Sequence, residues 1–230
     1  MTSRPIIAVD GPAGAGKGTI CRAIAHRFGL AYLDTGSLYR AVGLYALESG
    51  EENGDALAAW ASGMPFSFRG DEQGQFTAWL GEQEVTLLLR KEKTGDAASK
   101  VSAIPAVRQA LLNFQRHYAA PAAAILDGRD VGTVVWPEAP LKIFVTANLD
   151  ERAKRRALEL QDRGEVANFQ EIRQRMAERD QRDQERALSP LRPAEDARML
   201  DTTCLTPDQC TDLVSQWVHA VFPNLGAARS

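Results

Sequence analysis

Short apolar runs recur along the chain, each followed by a longer stretch of helical periodicity. The runs are 6–10 (IIAVD), 32–34 (YLD), 123–127 (AAILD), 141–145 (LKIFV) and 199–201 (MLD). Runs this short and this rich in Val, Ile and Leu fit strands covered on both faces. Their alternation with helices predicts an α/β fold: a parallel five-stranded sheet covered by helices. Helix starts are legible. Asn148 precedes Glu151 by three, and Thr206-Pro207-Asp208-Gln209 sets an N-cap, an N1 proline and an N3 glutamine in order. The last helix is expected from Pro207 to about Val221.

The rhythm breaks between residues 55 and 94. Segments 66–69, 75–80 and 85–89 read as short strands, with Gly70, Gly74 and Gly81 at turns, which predicts a small β-rich insertion. Two charged segments, 151–163 and 171–186, are helical by pattern and joined by a loop at 164–168. The tail 224–230 is expected to be disordered.

Composition narrows the class. Of 230 residues, 44% are apolar and 25% charged, which is ordinary for a globular protein of one or two domains. A net charge of -3 offers no reason for nonspecific nucleic-acid binding. Cys21, Cys204 and Cys210 are scattered without a CxxC pair, as expected of reduced, mostly buried thiols in a cytoplasmic protein. No apolar run approaches the ~20 residues of a membrane span, and a strand starting at Ile6 leaves no room for a signal peptide.

The chemistry enters right after the first strand. Gly11-Pro12-Ala13-Gly14-Ala15-Gly16-Lys17-Gly18-Thr19 sits between a strand and a helix, the context a phosphate-binding loop requires. Glycines let consecutive backbone N–H groups turn around an anion, and the helix N-terminus adds partial positive charge. Lys17 is placed to contact β- and γ-phosphates. A dinucleotide loop is excluded because its third glycine would fall at Thr19. Gly18 stands where the strict pattern has Ser or Thr, and the resulting GKGT resembles nucleoside monophosphate kinases, in which Mg²⁺ is held largely through water. Asp34 and Asp127, at predicted strand ends, are either water-mediated partners of that ion or helix caps.

Three further stretches, 32–40 (YLDTGSLYR), 127–135 (DGRDVGTVV) and 179–191 (RDQRDQERALSPL), together with Pro193-Ala194-Glu195-Asp196, resemble bacterial cytidylate kinases over nearly the whole chain. The resemblance implies a P-loop core at 1–54, 95–148 and 187–230. The β-rich insertion at 55–94 then lies on the monophosphate side, and 149–186 form a helical lid with an arginine-rich substrate helix. It implies that Thr35, Tyr39, Arg40, Ser99, Arg108, Arg129, Asp130, Arg179, Asp183 and Arg186 hold CMP. Arg179 and Arg186 then serve the monophosphate and the transferring group, and Asp183 the ribose. In the lid, Arg156 is assigned to phosphate and Arg152 to adenine. Lys17, Arg156, Arg179 and Arg186 become the catalytic cations, with Mg²⁺ as cofactor and ATP and CMP or dCMP as substrates of a monomer.

The residues read alone give partial support. An ionised Asp130 and Ser99 can accept from cytosine's exocyclic amine, whereas a carboxylate repels the uracil oxygen; Arg129–Asp130 could also be a structural ion pair. Arg179, Asp183 and Arg186 share one helical face, extended by Arg175 and Arg182, a stripe that by itself also fits a solvated surface. A uridylate or shikimate-type kinase is the rival within enzymes. A regulatory nucleotide binder is the rival outside them, though a GTPase switch would need an NKxD motif the chain lacks.

Overall fold

In the computed structural model, which describes residues 5–226, the chain opens with β1 (Ile6–Asp10), α1 (Lys17–Phe28), β2 (Ala31–Asp34), α2 (Thr35–Ser49) and α3 (Gly54–Gly63). There follow β3 (Phe66–Gly70), β4 (Phe76–Leu80), β5 (Gln83–Glu84), α4 (Thr86–Leu89), α5 (Glu92–Val101) and α6 (Pro105–Ala119). Next come β6 (Ala124–Gly128), a π-helical turn (Val131–Val135) and β7 (Leu141–Thr146). The chain closes with α7 (Leu149–Asp162), α8 (Phe169–Glu185), β8 (Arg198–Asp201) and α9 (Pro207–Val221).

All five expected strands form, and they pair in parallel in the order β2-β6-β1-β7-β8. Alternate residues of β1 face opposite ways. Ile6 and Ala8 join Leu33, Leu38, Val42, Leu57, Val107 and Leu111 on one side, while Ile7 and Val9 join Ile20, Ile24, Ile143, Val214 and Val218 on the other. Both faces are therefore covered, which is why the strands read as continuous apolar runs.

The second sheet is antiparallel, β3-β4-β5, but one expected strand is replaced. Residues 85–89 form a helical turn: Leu89 N–H donates to the Val85 carbonyl at 2.9 Å, and both side chains are buried while Leu87 between them is exposed. Burial at i and i+4 is helical spacing, and the run of leucines disguised it. Met64, Phe66, Ala78, Val85 and Leu89 belong to the same apolar cluster as Leu33 and Leu38. Phe68 and Phe76 pack tilted against Tyr32, with ring centroids 5.2 and 5.0 Å away, and His26 meets the Glu72 carbonyl at 3.1 Å.

Caps fall where expected. Thr206 and Gln209 form a reciprocal capping box. Asn148 accepts from Glu151 N–H at 2.7 Å, but its own N–H goes to Thr203 and Glu151 turns to Arg155, so that box is half closed. The tail expected to be disordered from Asn224 stays ordered to Gly226, because Leu225 packs against the core; 227–230 lie outside the described residues. Cys21 and Cys210 are buried and Cys204 is exposed. Among the described residues, no helix is long and apolar enough to cross a membrane.

Gly43 lets α2 touch α5, the helix that carries Ser99: a Cβ there would lie 2.7 Å from the Ala98 nitrogen. Gly43→Ala is expected to cost about 1–3 kcal/mol of stability by overpacking, read from the urea unfolding midpoint at unchanged slope.

Candidate active site

The carboxyl ends of β1, β6 and β2 lie side by side, so three aspartates share one edge: Asp10 pairs with Gly128 in register, Val9 with Asp127, and Asp34 with Asp127. Ligands of open parallel sheets bind at this edge. The loop from Gly11 rises there. Gly11 has φ 146°, and a Cβ on it would lie 1.9 Å from the Val145 carbonyl oxygen; Gly14 and Gly16 are also left-handed, at 76° and 90°. No side chain caps α1, so its first N–H groups remain open to an anion.

Lys17 folds back over the loop, donating to the Pro12 carbonyl at 2.9 Å and standing 3.8 Å from Asp127. It is 6% exposed, and burial, with Arg129 nearby, brings its pKa down to about 8. Burial, followed by the same Arg129, lowers Arg179 to about 10. Among the described residues, no hydrogen bond or ion pair takes up the Arg179 guanidinium. Burial lowers Arg40 too, with Arg156 and Arg129 adding repulsion, and its Nη1 donates to the Leu89 carbonyl at 2.6 Å. Burial works against charge on Arg129 as well, but Asp183, Asp127 and Asp34 outweigh it and raise its pKa. Arg129 Nε donates to Asp183 at 3.0 Å, so Asp130 does not pair with its neighbour in sequence. Arg186 stands 3.4 Å from Asp183, and its Nη2 is buried without a hydrogen bond. The side chains of 129, 179, 183 and 186 are thus brought together; Arg175 pairs with Glu92, and Arg182 is exposed.

Asp130 pairs with Arg108 at 2.5 Å, both nearly buried, and Arg108 lies 5.7 Å over the Tyr39 ring. Burial, partly offset by Arg108, pushes the Tyr39 hydroxyl up to about 12. These residues open on a cleft of about 230 Å³ that Gln109, Leu188 and Ser189 also line. Ser189 holds φ 53°, the one left-handed non-glycine among the described residues. The half-buried Ser99 connects to this corner through Ser102, which donates to the Ser99 carbonyl at 2.9 Å and accepts from Arg108. Thr35 is buried and gives its hydroxyl hydrogen to the Asp127 carbonyl at 2.9 Å, bracing the end of β6.

The two charged helices pack on the phosphate loop. Arg152 is buried, with Nε on the Ala147 carbonyl at 2.9 Å, Nη1 on the Ala13 carbonyl at 3.2 Å and Nη2 on Asp180 at 2.6 Å. The expected packing on adenine would require it to leave these partners. Arg156 is half-buried and tied to Glu159 at 2.8 Å, close enough to Arg40 to repel it. Sequence reasoning missed Asp180, which holds Arg152, and Arg155, which binds the Thr202 carbonyl at 2.7 Å beside the loop. It gave no role to Leu188 and Ser189, although they lie within the quoted stretch 179–191.

The metal alternatives separate here. Asp34 caps α2, accepting Ser37 N–H at 3.3 Å and its hydroxyl at 2.7 Å. The Asp127 carboxylate instead faces the loop, and burial raises it to about 6 despite Lys17 nearby. A carboxylate whose charge burial penalises more than Lys17 and Arg129 relieve fits an incoming cation. Among the described residues, no group of three or more His, Cys, Asp or Glu could hold a metal unaided.

Moving a phosphoryl group between two anions is the work of P-loop phosphotransferases, and the loop and the desolvated cations opposite it put this chain among them. A family model described as cytidylate kinase matches residues 7–220. The cytidylate kinase of Magnetococcus marinus is 55% identical over 222 residues, spanning 96% of this chain and 99% of that one. That of Granulibacter bethesdensis is 49% identical, with 96% and 99% covered. The chain belongs to the cytidylate kinase family. A solved structure of an uncharacterized protein from Eubacterium ventriosum shares the fold at TM-score 0.53 and 13% identity, covering 94% of this chain and 99% of that one.

Asp127 gives a test with a definite sign. Its folded pKa lies above the ordinary 3.8, so its ionisation penalises the native state, most fully above about 6. Asp127→Asn is expected to raise the melting temperature of the nucleotide-free protein at about pH 8, with the gain shrinking as pH falls towards about 4. A thermal-shift series across pH checks it.

Proposed function

We propose that this protein transfers the γ-phosphoryl group of ATP to CMP, and to dCMP, by direct in-line displacement. The observation that carries this reading is the phosphate loop with Lys17 buried over it, together with Arg129, Arg179 and Arg186 gathered about Asp183. Burial lowers the pKa of Lys17 and Arg179 more than Asp127 and Asp183 restore it, and the two substrates supply further anions.

ATP lies on the loop Gly11 to Thr19, its phosphates on the N–H groups of α1 and on Lys17. Arg152 holds that loop through the Ala13 carbonyl. CMP sits opposite, its phosphate on Arg40, Arg129, Arg179 and Arg186 and its ribose on Asp183. Asp130, oriented by Arg108, accepts from the cytosine amine in the cleft beside Tyr39 and Ser99. The acceptor phosphate is already an anion, so the side chains position groups and stabilise charge without a general base. Mg²⁺ accompanies ATP and, when bound, neutralises charge on its β- and γ-phosphates; Asp127 and the Thr19 hydroxyl would hold it through water. Closure of α7 and α8 with Arg156 excludes water that would otherwise hydrolyse ATP. The enzyme works as a monomer in the cytoplasm.

A coupled ADP-release assay with MgATP and CMP, dCMP, UMP or AMP tests the substrate. Fast turnover with CMP and dCMP and weak turnover with UMP and AMP is expected; equal rates with UMP would remove Asp130 as the base reader while sparing the kinase. Lys17→Ala is expected to abolish transfer yet leave CMP affinity, measured by calorimetry, largely intact. Arg179→Ala should lower kcat by about 10³-fold or more. Its unfolding midpoint should not fall, because the arginine it removes is desolvated and without an ion-pair partner.

A further inference from the structure

Asp10 has no place in the chemistry described so far. It is 4% exposed, it ends β1, and the residue after it, Gly11, begins the phosphate loop. Its carboxylate reaches sideways across the sheet. Oδ1 accepts Val131 N–H at 2.7 Å and Oδ2 accepts Gly132 N–H at 2.7 Å. These are the first N–H groups of the π-helical turn, which have no partner within the turn itself, and the residue before them is Asp130. The turn closes through its own bonds, Val134 and Trp136 N–H donating to the Asp130 and Val131 carbonyls at 2.8 and 2.7 Å, and Arg116 of α6 holds its far end by donating to the Val134 and Val135 carbonyls at 3.1 and 2.9 Å.

We infer that Asp10 is a positioning residue that fixes the base-reading Asp130 relative to the phosphate loop, so that one carboxylate sets the distance between donor and acceptor. The inference rests on the reading of Asp130 given above. Its basis is that the two loops meet through this carboxylate. Two charge-assisted bonds to adjacent N–H groups hold the backbone on the C-terminal side of Asp130, and Gly128 lies opposite Asp10 in the strand pairing. The surroundings leave little freedom. A Cβ on Gly132 would lie 3.3 Å from Asp10 Oδ2 and 3.2 Å from Lys142 Cδ, and one on Gly128 would lie 3.6 Å from Asp10 Oδ1. Asp130 repels the carboxylate and Lys17 attracts it. Burial, the largest influence, lifts its pKa to about 6, partly offset by the two N–H donors.

Asparagine has nearly the same shape, but its amide oxygen can serve one of the two donors while its NH₂ opposes the other. Asp10→Asn is therefore expected to raise KM for CMP by about tenfold or more, the loss of one charge-assisted bond. The CMP-to-UMP ratio of kcat/KM should fall by a similar factor, with KM for ATP within about threefold of the wild type. A merely structural role would lower the melting temperature and the active fraction, but it would leave both KM values and the base ratio where they were.

Asp130→Asn run beside it separates the two layers of the argument. If Asp130→Asn lowers the base ratio and Asp10→Asn leaves it and KM for CMP unchanged, the role of Asp10 is overturned and the base reader stands. If Asp130→Asn leaves the ratio unchanged, both fall. Should Asp10→Asn not fold, Gly132→Ala decides. It keeps the carboxylate and the N–H but crowds them apart, and a rise in KM for CMP of about threefold or more, without one for ATP, supports the inference. Unchanged constants for both substrates would overturn it.

Discussion

Lys17, buried, and Arg179, half-buried, lose more by desolvation than the carboxylates around them restore, and the arrangement of the site follows from that imbalance. Each would be more stable as a cation in open water, as the downward pull on both pKa values records. The fold tolerates this because carboxylates are distributed around the cations and do not cancel them. Asp127 stands 3.8 Å from Lys17, and Asp183 is taken up by Arg129 and Arg186. What remains is a surplus that two phosphate-bearing substrates can neutralise, in surroundings where each contact is worth more than it would be in water.

The sheet makes that imbalance possible. Parallel pairing brings the carboxyl ends of β1, β2 and β6 to one edge, so an aspartate at the end of each arrives at the same place for three different duties. Asp34 caps a helix, Asp127 faces the loop, and Asp10 grips the turn after Asp130. Nothing in side-chain type distinguishes them. Their neighbours do: a serine three residues on, a lysine across the strand, and a pair of unsatisfied N–H groups.

The helices above the loop carry a second tension. Arg152 satisfies a loop carbonyl and Asp180 at once, yet Asp180 Oδ1 and Arg186 Nη2 stay buried without hydrogen bonds. Unsatisfied groups of this kind mark a packing that other partners can replace. The left-handed Ser189, which lines the cleft beside Tyr39 and Asp130, adds local backbone strain in the stretch between α8 and β8.

The sequence by itself determined the core. A strand covered on both faces must be a continuous apolar run, and a phosphate loop must place its glycines and lysine at fixed spacing, so local pattern alone located all five strands, the loop and the caps at Asn148 and Thr206. The face shared by Arg179 and Asp183 was legible for the same reason, because helical spacing is local, whereas Arg186 falls just past the end of α8 with an extended backbone. Only the tertiary structure decided which ionisable groups pair. It sent Asp130 to Arg108 and Arg129 to Asp183, buried Arg152 under the loop, and turned Thr35 inward to brace β6. It also made 85–89 helical, since burial at Val85 and Leu89 depends on the core below and not on the three residues between. Partner choice among charges depends on burial and on distances between segments far apart in the chain, and neither is written in spacing.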